Sequence, residues 1–209
     1  MSSKDFNEII NNSNGDIGFN FSKSKTNNDL LVIGLTNSDI KESDFICNAY
    51  LYSNKPKSSK QCVGKIINSK DTLKSLDDTD FVLIEDPKNV NFNIFNYEKS
   101  IGMIINKKIT DERKDTIENF EFDFLIYDQD IDSFNNLEDM LVAKDMINSI
   151  RSNWFVRLKS NILDDVNFQF LYHIGFTGIV LDLSEMTINN FSNISSKLSN
   201  LEVKKSGKS

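Results

Sequence analysis

Trp154-Phe155-Val156-Arg157-Leu158-Lys159-Ser160-Asn161 opens the stretch on which the fold turns. An amphipathic segment follows, closed by His173-Ile174-Gly175-Phe176, and then comes Thr177-Gly178-Ile179-Val180-Leu181-Asp182-Leu183-Ser184-Glu185. The two outer pieces hold short, nearly continuous apolar runs, as strands covered on both faces do. Between them Val166, Phe170, Leu171 and Ile174 repeat at helical spacing. Gly175 falls just past the last of them, where glycine takes the left-handed conformation that closes a helix. Strand, helix, glycine and strand make one α/β unit.

The same grammar extends towards the N-terminus. Leu30–Leu35, Ile46–Tyr52, Cys62–Ile67, Phe81–Ile84, Ile101–Ile105 and Phe122–Tyr127 are further short apolar runs. With Phe155–Leu158 and Gly178–Leu183 they make eight strand candidates. Helical patterns separate several of them. Leu137–Ile150 is the strongest, with Asn136 as N-cap and Glu138 and Asp139 in the first turn, where the helix dipole favours anions. Ile162–Ile174, Asp111–Phe120 capped by Thr110, and a short Ser69–Leu76 follow the same logic. A final helix spans 187–201, with Ile188, Phe191, Ile194 and Leu198 on one face.

Eight strands alternating with helices predict a compact (β/α)8 TIM-type barrel, with an open doubly wound parallel sheet as the alternative. The segment 46–67 is expected to be irregular. Its link Ser53–Lys60 is short and contains Pro56, whereas a parallel crossover takes at least about ten to twelve residues. Asp16–Phe21 alternates and could add a strand ahead of the barrel. The expected organisation is an N-terminal extension over 1–28, one barrel domain over 29–201 and a basic tail over 202–209.

Composition narrows the function. The 209 residues carry a net charge of −7, which argues against a nucleic-acid partner or an anionic membrane. No apolar stretch approaches the roughly 20 residues that span a bilayer, and the N-terminus does not read as a signal peptide. A cytoplasmic location is the expectation. Cys47 and Cys62 are too few for a disulfide framework or a zinc site and read as buried apolar residues. His173 is the only histidine, so no mechanism needing two is available. Asn, Ile and Lys abound while Ala occurs only at 49 and 143, so each polar residue carries less functional weight than usual.

Residues 154–185 resemble the last two units of the aldolase-type, phosphate-binding TIM barrels. Asn119–Asp128 and Asp77–Asp86 share their cadence. The resemblance covers most of 29–200 and is one of pattern. It implies a barrel enzyme acting on a small anionic metabolite, of lyase or isomerase type. The phosphate turns of those barrels are rich in glycine; the turns here read Lys159-Ser160-Asn161 and Ser184-Glu185-Met186. No GxGxxG, Walker A or nucleophile-elbow motif is present, and no cofactor is indicated.

In such a barrel the chemistry sits at the C-terminal strand ends. Lys65, Glu85, Lys159 and Asp182 are the catalytic candidates: a lysine as base or Schiff-base nucleophile, and carboxylates for proton transfer. Asn106, Asp128, Arg157 and Ser184 are the ligand-binding candidates. Lys65, Glu85, Arg157 and Asp182 could also form an ion-pair network that only fills the barrel, leaving a silent barrel that binds a metabolite or a protein partner. Asp128-Gln129-Asp130-Ile131-Asp132 has the spacing of a calcium loop, but Ser133 replaces the turn glycine, so it reads as a solvated acidic segment and no metal site is assigned.

Overall fold

A computed structural model describes residues 5–13, 30–37, 40, 43–54, 61–105, 109–128, 137–159 and 166–201. Eight strands close into a barrel in chain order: β1 (Leu31–Thr36), β2 (Ala49–Tyr52), β3 (Cys62–Ile67), β4 (Phe81–Ile84), β5 (Ser100–Ile105), β6 (Phe124–Asp128), β7 (Asn153–Leu158) and β8 (Gly178–Asp182). Every neighbouring pair is parallel, including β8 with β1. The barrel is therefore a (β/α)8 type and the open sheet is excluded. Closure leaves no strand edge to template association.

The helices gather on one side. α1 (Phe6–Ser13) precedes the barrel, α2 (Asp111–Asn119) follows β5, α3 (Leu137–Ser149) follows β6, α4 (Phe168–Ile174) follows β7 and α5 (Ile188–Ser199) follows β8. Among the described residues no α-helix lies between β1 and β5. Short 3-10 turns at Leu73–Leu76, Pro87–Asn89 and Phe92–Asn96 serve there instead. The strands of the segment 46–67 are regular: β2 begins at Ala49, later than the apolar run suggests, and pairs with β3 in parallel register. Residues 55–60, the alternating run 16–21 and the tail 202–209 lie outside the described residues.

Side chains alternate between two apolar layers. The outer layer packs strand residues such as Val82, Leu125 and Ile179 beneath Ile117, Met146, Leu171 and Phe191. The inner layer fills the barrel with Leu31, Ile33, Leu51, Leu83, Ile126 and Val180, among others. Three phenylalanines dominate it, and each faces a glycine at the same level of a neighbouring strand. Gly64 pairs with Phe81, Gly102 with Phe124, and Gly178 with Phe155. A Cβ at Gly102 would lie 2.3 Å from the Phe124 ring, and one at Gly178 would lie 2.7 Å from that of Phe155. The glycines are the space the rings occupy. Phe6 of α1 caps the stack from below, 4.1 Å from Phe81 and 5.0 Å from Phe124 between ring centroids.

The N-terminal rim repeats one device. Asn48, Asp80 and Asp123 each stand just before an even-numbered strand. Their side chains accept the backbone N–H of Val32, Val63 and Ile101, at 2.8, 2.9 and 2.8 Å. Their own N–H groups donate back to the same three residues. At the fourth position the N–H of Thr177 donates to the Trp154 carbonyl at 2.6 Å. The clamps fix strand register at the end away from the site.

α4 begins at Phe168, not at Ile162, because Asn167 is extended and caps it. Thr110, Asn167 and Thr187 cap α2, α4 and α5. Lys144, the polar interruption in the stripe of α3, donates to the Ile174 carbonyl at 2.7 Å and so satisfies the end of α4. Gly175 closes that helix at φ 111°. Gly175→Val is expected to cost about 1–2 kcal/mol, because a side chain in left-handed backbone is sterically penalised. Urea denaturation measures it; an unchanged midpoint would contradict the left-handed turn.

Candidate active site at the C-terminal mouth

The inward parity of the barrel carries past its apolar filling to the C-terminal strand ends. Leu83 leads to Glu85, Ile126 to Asp128, Phe155 to Arg157 and Lys159, and Val180 to Asp182. Below them Ile66 and Ile104 are only partly buried and form an apolar floor. A polar ring over a closed apolar interior is where a barrel of this class can host a ligand.

Arg157 is at the centre of this ring. One terminal nitrogen of its guanidinium lies 3.6 Å from a carboxylate oxygen of Asp128 and 3.9 Å from one of Glu85. Both separations exceed a hydrogen bond. The carboxylates hold the guanidinium electrostatically without taking up its donors in hydrogen bonds. Arg157 is 29% exposed, so this pairing adds little stability.

Asp182 has a different task. Its Oδ1 accepts from the backbone N–H of Ser184 at 3.1 Å and from the Ser184 hydroxyl at 2.6 Å. It thereby caps the turn Leu183–Glu185, and Ser184 is absorbed in the same contact. Asp86 caps Pro87–Asn89 in the same way. Lys159 is exposed, two residues beyond Arg157. Asn106, and residues 129–136 of the calcium-like segment, lie outside the described residues.

Lys65 stands apart from the rest. Cys62, Gly64 and Ile66 take the inner face of β3, which places Lys65 with Val63 and Ile67 on the outer face. There its ammonium group donates to Asp71, whose other oxygen accepts the Asn68 N–H at 3.0 Å. Lys65 is 7% exposed, and its partner explains its burial. Of the four residues of the expected interior network only Glu85 and Arg157 meet; Asp128 joins them, and Asp182 serves as a cap.

The other reactive residues are elsewhere. Burial pushes the Cys47 thiol up to about 12 and raises that of Cys62 further, with a smaller push from Asp80. Neither is a thiolate at neutral pH. His173 is in the last turn of α4, at the barrel's N-terminal end, with Nδ1 2.6 Å from the Gln169 carbonyl oxygen. Among the described residues no group of three or more His, Cys, Asp or Glu is placed to hold a metal ion, and no helix is long and apolar enough to cross a membrane.

Fold and site together define a (β/α)8 barrel with a polar mouth. Solved structures share this architecture. Thiamine phosphate pyrophosphorylase from Pyrococcus furiosus matches with a TM-score of 0.57 and 10% identity, over 82% of this chain and 96% of that one. A mutant tryptophan synthase alpha-subunit from the same organism matches with a TM-score of 0.56 and 11% identity, over 83% and 98%. At such identities the likeness is one of fold. No protein-family model matches the chain, and no curated protein does.

Proposed function

We propose that the mouth binds a small anionic metabolite carrying hydroxyl groups, and that the protein is an enzyme of lyase or isomerase type acting on it. The observation that carries this reading is the Arg157 guanidinium, set between Glu85 and Asp128 without a hydrogen bond to either. A guanidinium presents paired donors that match a carboxylate or phosphate. The two flanking carboxylates would repel a bare anion, but they accept hydroxyl protons. A ligand with an anionic group and neighbouring hydroxyls satisfies all three side chains. In the same position Glu85 or Asp128 can take up a proton and return it, the step that lyases and isomerases share. Lys159 adds a second positive charge at the rim. One of the barrel's structural neighbours is by name an enzyme of a phosphate ester, which is consistent with an anionic substrate.

A thermal-shift screen of phosphorylated sugars and hydroxy and keto acids tests the binding. For a hit, Lys159→Met is expected to weaken affinity about tenfold, as the loss of one partly screened charge. Solvent deuterium entering the ligand would establish proton transfer. Tight binding without exchange or turnover would favour the second reading, a silent metabolite-binding barrel; the use of Asp182 as a turn cap already points that way. If no anionic metabolite raises the melting temperature, the site reading fails.

A further inference from the structure

A cavity lies outside the barrel wall, away from the mouth. The crossover from β4 to β5 has no α-helix; the turns Pro87–Asn89 and Phe92–Asn96 take its place. They are too short to cover the outer face of the two strands, and a cavity of about 250 Å³ remains between them and α2. Its volume is just below the range of drug-sized ligand pockets, about 300–1,000 Å³, and suits a smaller ligand. Ile84 and Met103 of the strands form its base. Phe95 and Phe120 line it as a stacked pair, 5.1 Å apart at 24°. Phe92 joins them at 5.2 Å although it is 72% exposed, and Phe120 is 44% exposed. Large aromatic side chains left this open around a cavity are a departure from ordinary burial.

The polar content of the lining is specific. Arg113 and Thr116 of α2 stand on the cavity side of the helix, with Ile117 and Phe120. Arg113 is exposed and forms no ion pair among the described residues, whereas its neighbour Lys114 is held by Asp111 at 2.8 Å. A cation beside an aromatic-walled cavity selects a ligand with a flat apolar body and one anionic end. We propose that this cavity binds a small aromatic carboxylate, its rings against Phe95 and Phe120 and its carboxylate on Arg113. The site is independent of the mouth reading and stands or falls separately.

Calorimetric titration of the full chain with naphthoate, and with naphthylmethanol as the uncharged counterpart, tests it. Wild type should bind naphthoate more tightly. Arg113→Gln should weaken naphthoate about tenfold and leave naphthylmethanol unchanged. Thr116→Phe, which fills the cavity from its exposed rim, should abolish both, with an unchanged circular dichroism spectrum showing the fold intact. Arg157→Gln, at the mouth, should alter neither. The proposal is overturned if wild type does not bind naphthoate, if Arg113→Gln binds it as wild type does, or if Thr116→Phe retains binding. Loss of binding in Arg157→Gln would place the probe in the mouth and also overturn it. Sedimentation showing a dimer that dissociates on Phe92→Ser, with no naphthoate uptake, would assign the aromatic face to a second copy of the chain instead.

Discussion

Phe6→Ala is expected to destabilise the protein by about 3–5 kcal/mol, the cost of removing a phenyl ring from a packed core. Phe6 is 1% exposed. Its ring lies nearly parallel to that of Phe81 and meets Phe124 edge-on at 70°. Phe155 completes the group at 6.3 Å. The ring therefore touches side chains from three separate strands, and α1 seals the barrel's lower end by means of it and of Ile10. Small domains hold only about 5–15 kcal/mol in total, so this one substitution should remove a large share. Urea denaturation gives the value, and Phe6→Leu should recover part of it. A midpoint within error of wild type would show that the helix does not close the barrel.

Arg157→Gln is expected to weaken the mouth ligand about a hundredfold, or about 2.8 kcal/mol, while the fold remains intact. Two effects act in the same direction. The ligand loses charge-assisted hydrogen bonds, each worth about 1.5–3 kcal/mol. Glu85 and Asp128 then face it without a neutralising partner. Stability should change little, because all three groups are substantially exposed. Isothermal titration with the best hit of the metabolite screen decides this. Equal affinities would remove Arg157 from the site, and a loss confined to Lys159→Met would move the anchor to the rim.

The barrel was legible because its strands are buried on both faces, and such strands print as unbroken apolar runs. The same property hid their orientation. In Cys62–Ile67 both faces are apolar, so alternation cannot tell which side Lys65 takes, and a one-residue shift reverses it. The turn at Gly175 and the cap at Thr110 were legible because each depends on one residue's local chemistry. α1 was not. Its apolar residues, Phe6, Ile9 and Ile10, are set among asparagines and too few turns for the period to emerge. Nor could spacing show that Asp182 caps its own turn, since a carboxylate at a strand end reads the same whether it faces ligand or backbone. The pairing of Gly64, Gly102 and Gly178 with phenylalanines of neighbouring strands required the strand register.

The seal made by α1 has a consequence for synthesis. Phe6 leaves the ribosome long before Phe155, and the barrel cannot close until Gly178 reaches Leu31. Contacts so distant in sequence form slowly. Throughout translation the first helix carries an uncovered apolar face with nowhere to dock. The nascent chain is therefore most exposed to misassociation through this helix, and a helper that shelters emerging segments has its natural substrate there. Moving this helix to the C-terminus by circular permutation would reverse the order, so that the plug arrived at a barrel already built.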